Sequence, residues 1–123
     1  MDKNIRQAQD MEVFKLSHLL TLEIYRLTEN FPPEEKFGLS AQMRRSAYSI
    51  PVNIAEGASR LSTKEYKQFV AIARGSVSEM MYQLLLSKDL DYLPEQHYLP
   101  LKEKYERVAK MLTNLIKVLR RLD

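Results

Sequence analysis

The stretch LKEKYERVAKMLTNLIKVLRRL, residues 101–122, carries the most regular pattern in the chain. Its apolar side chains alternate spacings of four and three residues, which places them along one side of an α-helix. They are Leu101, Tyr105, Val108, Leu112, Leu115, Leu119 and Leu122. Basic side chains occupy the other face, namely Lys102, Lys104, Arg107, Lys110, Lys117, Arg120 and Arg121. The pattern predicts a long helix over about 95–122 that buries one seam.

Three more segments have a helical period, at about 11–28, 39–56 and 63–90. The sequence STKE opens the third of these, where Ser62 is placed to cap the helix and Glu65 to reach back to it. The first has two adjacent apolar stripes, wide enough for the core and for a second helix-sized contact. No segment alternates as a strand does, so the sequence predicts one all-α domain over residues 1–123 with four helices.

Composition narrows the class of protein. The chain has 123 residues, 45% of them hydrophobic, and a domain of this size buries roughly two thirds of its unfolded surface. The absence of cysteine excludes disulfides, thiolate nucleophiles and cysteine zinc sites. No apolar run approaches the roughly 20 residues of a membrane span, and MDKNIRQAQD lacks the apolar core of a signal peptide. We therefore expect a cytoplasmic protein.

The formal net charge of +3 is unevenly distributed. Residues 40–74 and residues 100–123 each carry an excess of four positive charges, and the rest of the chain is acidic. Basic surfaces of this kind suit nucleic acid, although charged helix faces are also commonly just solvated. The predicted contact set lies where the second and third helices meet and consists of Arg44, Arg45, Arg60, Lys64, Lys67 and Arg74.

The stretch SIPVNIAEGASR, residues 49–60, adds a polar line to an otherwise apolar helix face. The line consists of Gln42, Ser46, Ser49, Asn53 and Glu56. Pro51 removes one backbone donor and is expected to kink the helix or open one turn of it, which frees the carbonyl near Ala47, and Gly57 is expected to end the helix. Two interpretations are open. The favoured one is a solvated face or a hydrogen-bonded seam between helices, in which Asn53 and Glu56 pair with the backbone or with Arg45. The other is a small-molecule site at the kink.

Signatures of catalysis are missing from the sequence. It has two histidines, and His18 lies on an apolar stripe, as a core or interface histidine does. Glu95 precedes His97 by two residues instead of the three of a helical carboxylate-histidine metal motif. There is no glycine-rich phosphate loop, nucleophile elbow or HExxH motif. We predict no enzyme activity, no metal and no cofactor.

Fifty consecutive residues, 31–80, resemble the signature of the four-helix proteins encoded in 23S ribosomal RNA intervening sequences. The matching elements are FP followed by E, then GL, Q-x-RR, SIP-x-NIAEG, an R, and F-x-x-x-A-x-GS-x-x-E. The motif positions in this chain are Gln42, Arg44, Arg45, Ser49, Pro51, Asn53, Glu56, Gly57, Arg60, Gly75, Ser76 and Glu79. Among them, Gln42, Ser49, Asn53, Glu56 and Glu79 are the expected polar seam.

The resemblance implies an antiparallel up-and-down bundle that assembles into a homopentameric ring. The family is similar to the accessory variability protein of diversity-generating retroelements, a basic pentamer that associates with reverse transcriptase and nucleic acid. Together, residues and resemblance predict a non-catalytic scaffold that binds RNA or other nucleic acid through repeated basic patches. The alternative is a structural module that presents its helices to a protein partner, such as a polymerase or a ribosomal component.

Overall fold

The structure, a computed structural model, describes Ala8 and residues 11–122. Its helices are α1 (Glu12–Thr28), α2 (Leu39–Ala58), α3 (Thr63–Asp89) and α4 (Glu95–Arg121), with one 3-10 turn (Pro33–Glu35) between α1 and α2. No β-strand occurs among these described residues. The predicted all-α class is confirmed, and each helix begins and ends within two residues of its predicted bounds.

The four helices surround one apolar core. Helix α1 packs on α2 and α4, and α3 packs on the same two helices. The side chains with the least solvent exposure come from all four and include Leu20, Ile24, Met43, Ile50, Ile54, Tyr66, Met80, Leu84, Leu101 and Leu112. Burial of apolar surface contributes about 25 cal/mol per Å², so this shared core is the main source of stability.

Helix α4 buries the seam that its spacing predicts. Six of the seven seam residues are buried, and Val108, Leu112 and Leu119 have no exposed surface. The seventh, Leu122, is 46% exposed because it lies at the C-cap, after the helix has ended. The seam therefore ends at Leu119, one turn earlier than the sequence predicts.

Two side-chain contacts fix where helices begin. The Ser62 hydroxyl accepts a hydrogen bond from the backbone N–H of Glu65 (3.0 Å), as the STKE motif predicts. At the start of α2, Glu35 Oε1 accepts from the Leu39 N–H (3.1 Å) and Oε2 from the Tyr92 hydroxyl (3.0 Å). A Cβ at Gly38 would lie 2.9 Å from Glu35 Oε1, so glycine leaves room for the carboxylate. Glu35 thus connects the α1–α2 loop to the α3–α4 turn.

Pro51 lies inside α2, which stays helical on both sides of it. Proline cannot donate to the carbonyl four residues earlier, which belongs to Ala47. The Thr21 hydroxyl of α1 lies 3.2 Å from that carbonyl oxygen and 2.7 Å from the Ser17 carbonyl oxygen, so its single proton is shared between them. The predicted free carbonyl at Ala47 is present, and it is used for packing α1 against α2.

Gly57 does not end α2, contrary to the sequence-based expectation. The helix continues to Ala58, and Gly57 is buried against α3. A Cβ at this position would lie 2.9 Å from both Phe69 Cβ and Tyr66 Cδ1. Glycine is needed here because α2 and α3 approach closely, which is a different use of the missing side chain from the predicted one.

Within the described residues, none of the helices is long and apolar enough to cross a bilayer. The N-terminal stretch on which the signal-peptide prediction rests, apart from Ala8, lies outside the described residues.

Candidate functional site

The polar line of α2 forms a hydrogen-bonded seam with α3. The hydroxyls of Ser49 and Ser76 are 2.8 Å apart, and the Ser46 hydroxyl donates to Glu79 Oε2 (3.3 Å). Asn53 Nδ2 donates to the Ser49 backbone oxygen (2.7 Å) and hydroxyl (3.1 Å). Because each side chain in this set has a partner on its own helix or on the neighbouring one, its polar groups are satisfied without a ligand.

Two residues predicted for the seam lie outside it. Gln42 and Glu56 are exposed, and the Glu56 carboxylate pairs with Arg60 of the same chain segment at 3.3 Å. The predicted pairing of Glu56 with Arg45 is therefore wrong, because Arg60, two residues past the end of α2, lies within reach of the carboxylate. Glu79 takes part in the seam, as the motif implied, through its contact with Ser46.

The six predicted phosphate-contacting residues differ in exposure and in their contacts. Arg45, Lys64 and Arg74 are exposed and have neither an ion pair nor a hydrogen bond within the described part of the chain. Lys67 is half-buried, and Arg60 has its guanidinium 4.7 Å from the Phe69 ring centre as well as its contact with Glu56. Arg45, Lys64 and Arg74 are thus the members most accessible to a ligand.

Arg44 faces α1 and not α3. Its Nε donates to the Thr28 hydroxyl (2.8 Å) and its Nη2 to the Tyr25 backbone oxygen (3.2 Å), while the guanidinium lies 4.6 Å from the Tyr25 ring centre. These contacts satisfy carbonyl and hydroxyl acceptors in the last turn of α1, where a cation is also favoured by the helix dipole. Arg44 therefore has a structural role, and its predicted place in a patch between α2 and α3 is wrong.

An apolar groove lies between α1 and α2, next to Pro51. Its volume is about 310 Å³, and its lining consists of Phe14, His18, Thr21, Tyr48, Pro51, Val52 and Ala55. His18 is exposed, with its ring stacked on Phe14 at a centroid distance of 6.5 Å, so its predicted place in the core is wrong, and its place in an interface stays a prediction. Glu56 does not line the groove.

Two tyrosines have shifted acidities with structural causes. The Tyr92 hydroxyl donates to the Glu35 carboxylate, and this hydrogen bond raises the pKa of Tyr92. Burial, and secondly the carboxylate of Glu23, raise the pKa of Tyr105. The Tyr105 hydroxyl is buried and has no hydrogen-bond partner within the described part of the chain. Both shifts favour the protonated phenol.

Sequence reasoning missed two connecting residues, Thr21 and Glu35. The signal for Thr21 is the proline at position 51, which predicts an acceptor at Ala47 but not which helix supplies the donor. For Glu35 the sequence has only a run of acidic residues after two prolines. Within residues 8 and 11–122, no three potential metal ligands among histidine, cysteine, aspartate and glutamate come together.

The chain is a small all-helical protein in which Ser49, Ser76 and Glu79 of the motif help to join α2 to α3. The chain belongs to the 23S rRNA-intervening sequence protein family, whose family model matches residues 9–114. It is similar to the crystal structure of a protein of unknown function from the S23 ribosomal protein family of Bacteroides thetaiotaomicron VPI-5482. The two are 27% identical, with a TM-score of 0.79 over 85% of this chain and 95% of that one. No curated protein matches the chain.

Proposed function

We propose that this protein is a non-catalytic, cytoplasmic scaffold that assembles into an oligomer and binds RNA or another nucleic acid. The observation that supports this most directly is the exposure of Arg45, Lys64 and Arg74 without ion-pair partners in the described residues. Unpaired surface cations attract phosphates and release counterions when they bind them. The family name, 23S rRNA-intervening sequence protein, makes RNA the first ligand to test.

An antiparallel bundle is part of this proposal. Ser46 contacts Glu79 and Ser49 contacts Ser76, so residue numbers rise along α2 while they fall along α3. The connections between consecutive helices are short, which favours antiparallel neighbours. Up-and-down connectivity would expose the outer faces of all four helices to partners.

A homopentameric ring is the second structural part of the proposal. The α1–α2 groove and the partly exposed Tyr25, Tyr48 and Val52 beside it offer an apolar surface that a second copy could cover. Assembly multiplies charge as well, since a protomer charge of +3 becomes about +15 in a pentamer and strengthens the attraction for a polyanion.

The proposal that the protein is non-catalytic is supported by the chemistry of the seam. The hydroxyls of Ser49 and Ser76 hydrogen-bond to each other, and within the described residues neither bonds to a histidine or a carboxylate that could remove its proton. The Glu79 carboxylate accepts a hydrogen bond from Ser46 instead. The groups present are therefore suited to holding helices together.

Light-scattering mass of the purified protein, with and without structured ribosomal RNA at two salt concentrations, tests this proposal. We expect a mass of several protomers that rises with RNA at low salt only. The triple variant Arg45→Gln, Lys64→Gln and Arg74→Gln should lower the slope of log affinity against log salt by about 2 to 3, because each phosphate contact contributes about 0.7 to 0.9. A folded wild-type assembly that ignores RNA at both salts would reject nucleic-acid binding.

The alternative function is a scaffold for a protein partner such as a polymerase or a ribosomal component. The apolar groove beside Tyr48 and Val52 favours it, because a hydrophobic contact needs no phosphate. Salt separates the two functions. Phosphate binding weakens steeply with salt, whereas a contact through the groove should change little.

A further inference from the structure

Helix α4 carries a second row of cations, outside the predicted contact set. Arg107, Lys110, Lys117 and Arg121 are all exposed. Their spacing, with Asn114 in the middle of the row, alternates three and four residues and so places them along one line on the outer side of α4. At 1.5 Å per residue the row is about 21 Å long.

No acidic residue interrupts this part of the chain. Residues 107–121 contain Arg107, Lys110, Lys117, Arg120 and Arg121, and neither aspartate nor glutamate. The ion pair that the structure does give α4 lies earlier, between Lys104 and Glu23 at 3.9 Å. Within the described residues, none of the four cations of the row has an ion pair or a hydrogen bond. In the described part of the protomer, the row is therefore without a direct ion-pair partner.

The needs of the helix explain part of the row. Cations in the last turn interact favourably with the helix dipole, and this accounts for Arg120 and Arg121. Arg107 and Lys110 each follow a glutamate by four residues, a spacing at which opposite charges stabilise a helix. Lys117 has neither explanation, and it lies three and four residues before the two arginines, where like charges destabilise the helix. A ligand that neutralises this end of the row would account for it.

We propose that the row on α4 binds the phosphate backbone of a nucleic acid. It adds a second set of contacts, on another helix, to those of Arg45, Lys64 and Arg74, and it rests on the proposed function. A strand of duplex has one phosphate per about 3.4 Å of axis, so a row of about 21 Å spans about six phosphates. The contacts are to phosphates, so they position the nucleic acid without reading its sequence.

Nucleic acid fits this surface better than an anionic membrane does. Helices that lie on membranes insert an apolar face opposite their basic one. In α4 that face is committed to the core, since Tyr105, Val108 and Leu112 are buried. The row therefore presents charge on a helix whose opposite, apolar face is not free to enter lipid.

The test compares two variants of the full chain, each of which loses four positive charges at different positions. The row variant carries Arg107→Gln, Lys110→Gln, Lys117→Gln and Arg121→Gln. The control variant carries Lys15→Gln, Arg26→Gln, Lys36→Gln and Lys104→Gln, all outside both proposed contact sets. Glutamine has a helix propensity close to that of lysine and arginine, so both variants should fold, as circular dichroism would verify.

Binding of a fluorescent duplex RNA is measured from 50 to 200 mM salt. Loss of four phosphate contacts should lower the slope of log affinity against log salt by about 3.6. Between 50 and 200 mM salt, the affinity of the wild type should therefore fall by a factor about 150 times larger than that of the row variant. At 50 mM salt the row variant should bind more weakly than the control variant. The control variant should keep the wild-type slope.

Each other outcome is decisive. Equal slopes for the row variant and the control variant would overturn the role of α4 while leaving the proposed function intact. A wild type that binds no RNA would reject the proposed function, and the α4 proposal with it. Vesicles containing 30% phosphatidylserine provide the last arm. If the row mutations release the protein from vesicles but leave RNA affinity unchanged, the surface is a membrane contact and the nucleic-acid assignment is wrong.

Discussion

Gly57 and Gly75 are both helical glycines of the family motif, but their surroundings differ. A Cβ at Gly57 would meet the buried ring of Tyr66 and the Cβ of Phe69, both at 2.9 Å, and neither is the far end of a flexible side chain. A Cβ at Gly75 would meet nothing within 4 Å. The same substitution should therefore have opposite effects at the two sites.

We predict that Gly57→Ala lowers the free energy of unfolding by up to about 2 kcal/mol, since overpacking costs about 1 to 3 kcal/mol and better helix propensity returns about 1. Gly75→Ala is the matched control and should raise it by about 1 kcal/mol. Urea denaturation of both variants measures the difference. Equal effects at the two positions would show that close packing of α2 on α3 does not explain Gly57.

These glycines also show what a sequence leaves undecided at the scale of one residue. A glycine near a helix end can either end that helix or allow a second helix to pack closely against it. Only the position of the neighbouring helix distinguishes the two roles. Arg44 is a similar case. The spacing of the sequence shows which side of α2 Arg44 occupies. Its hydrogen bonds go to Thr28 and Tyr25, however, and these lie beside Arg44 only because of the way α1 packs on α2.

At the scale of the helix, the proline in α2 is compensated by its neighbour α1. Pro51 leaves the Ala47 carbonyl without its backbone donor, and the Thr21 hydroxyl lies within hydrogen-bonding distance. We predict that Thr21→Val, which keeps the shape and removes the hydroxyl, destabilises the protein by about 1 kcal/mol. Replacing Pro51 with alanine restores a backbone N–H at position 51 that can bond to the Ala47 carbonyl. In the Pro51→Ala background, Thr21→Val should therefore lower the free energy of unfolding by less.

A double-mutant cycle by thermal unfolding measures this coupling, with Thr28→Val as the control for losing a threonine hydroxyl on the same helix. If the cost of Thr21→Val is the same with proline and with alanine at position 51, the two residues are independent and the proposed compensation is wrong.

Helix bounds and core faces could be predicted because they depend on local period. The seam of α4 and the cap at Ser62 both follow from spacing within one helix. The polar line of α2 could be predicted, and the family motif implied Glu79, but the pairs Ser46–Glu79 and Ser49–Ser76 could not, because pairing depends on the register between α2 and α3. The assignment of Glu56 to Arg45 failed for another reason: the two residues lie about 16 Å apart along α2.

The protomer as a whole exposes both an apolar surface and basic surfaces. Tyr48 and Val52 are 44% and 49% exposed beside the α1–α2 groove, although the chain has a complete core without them. The cations of α4 and those around Arg45 lie on other parts of the surface. Covering the groove by a second copy would bury apolar surface and bring like-charged rows of several protomers into one assembly, so assembly and polyanion affinity should rise and fall together.

We predict that Tyr48→Glu with Val52→Glu dissociates the assembly, because a carboxylate buried at an apolar interface loses its hydration without gaining a partner. Light scattering should show a mass that falls from several times 14.4 kDa to that of one protomer. RNA affinity at low salt should fall at the same time, although no proposed phosphate contact has been changed. Leu99→Glu with Tyr82→Glu, two exposed apolar positions away from the groove, adds the same charge as a control.

If both variants keep the wild-type mass, the groove is not the interface between protomers. Lost assembly with unchanged RNA affinity would instead show that one protomer binds RNA without help from its neighbours.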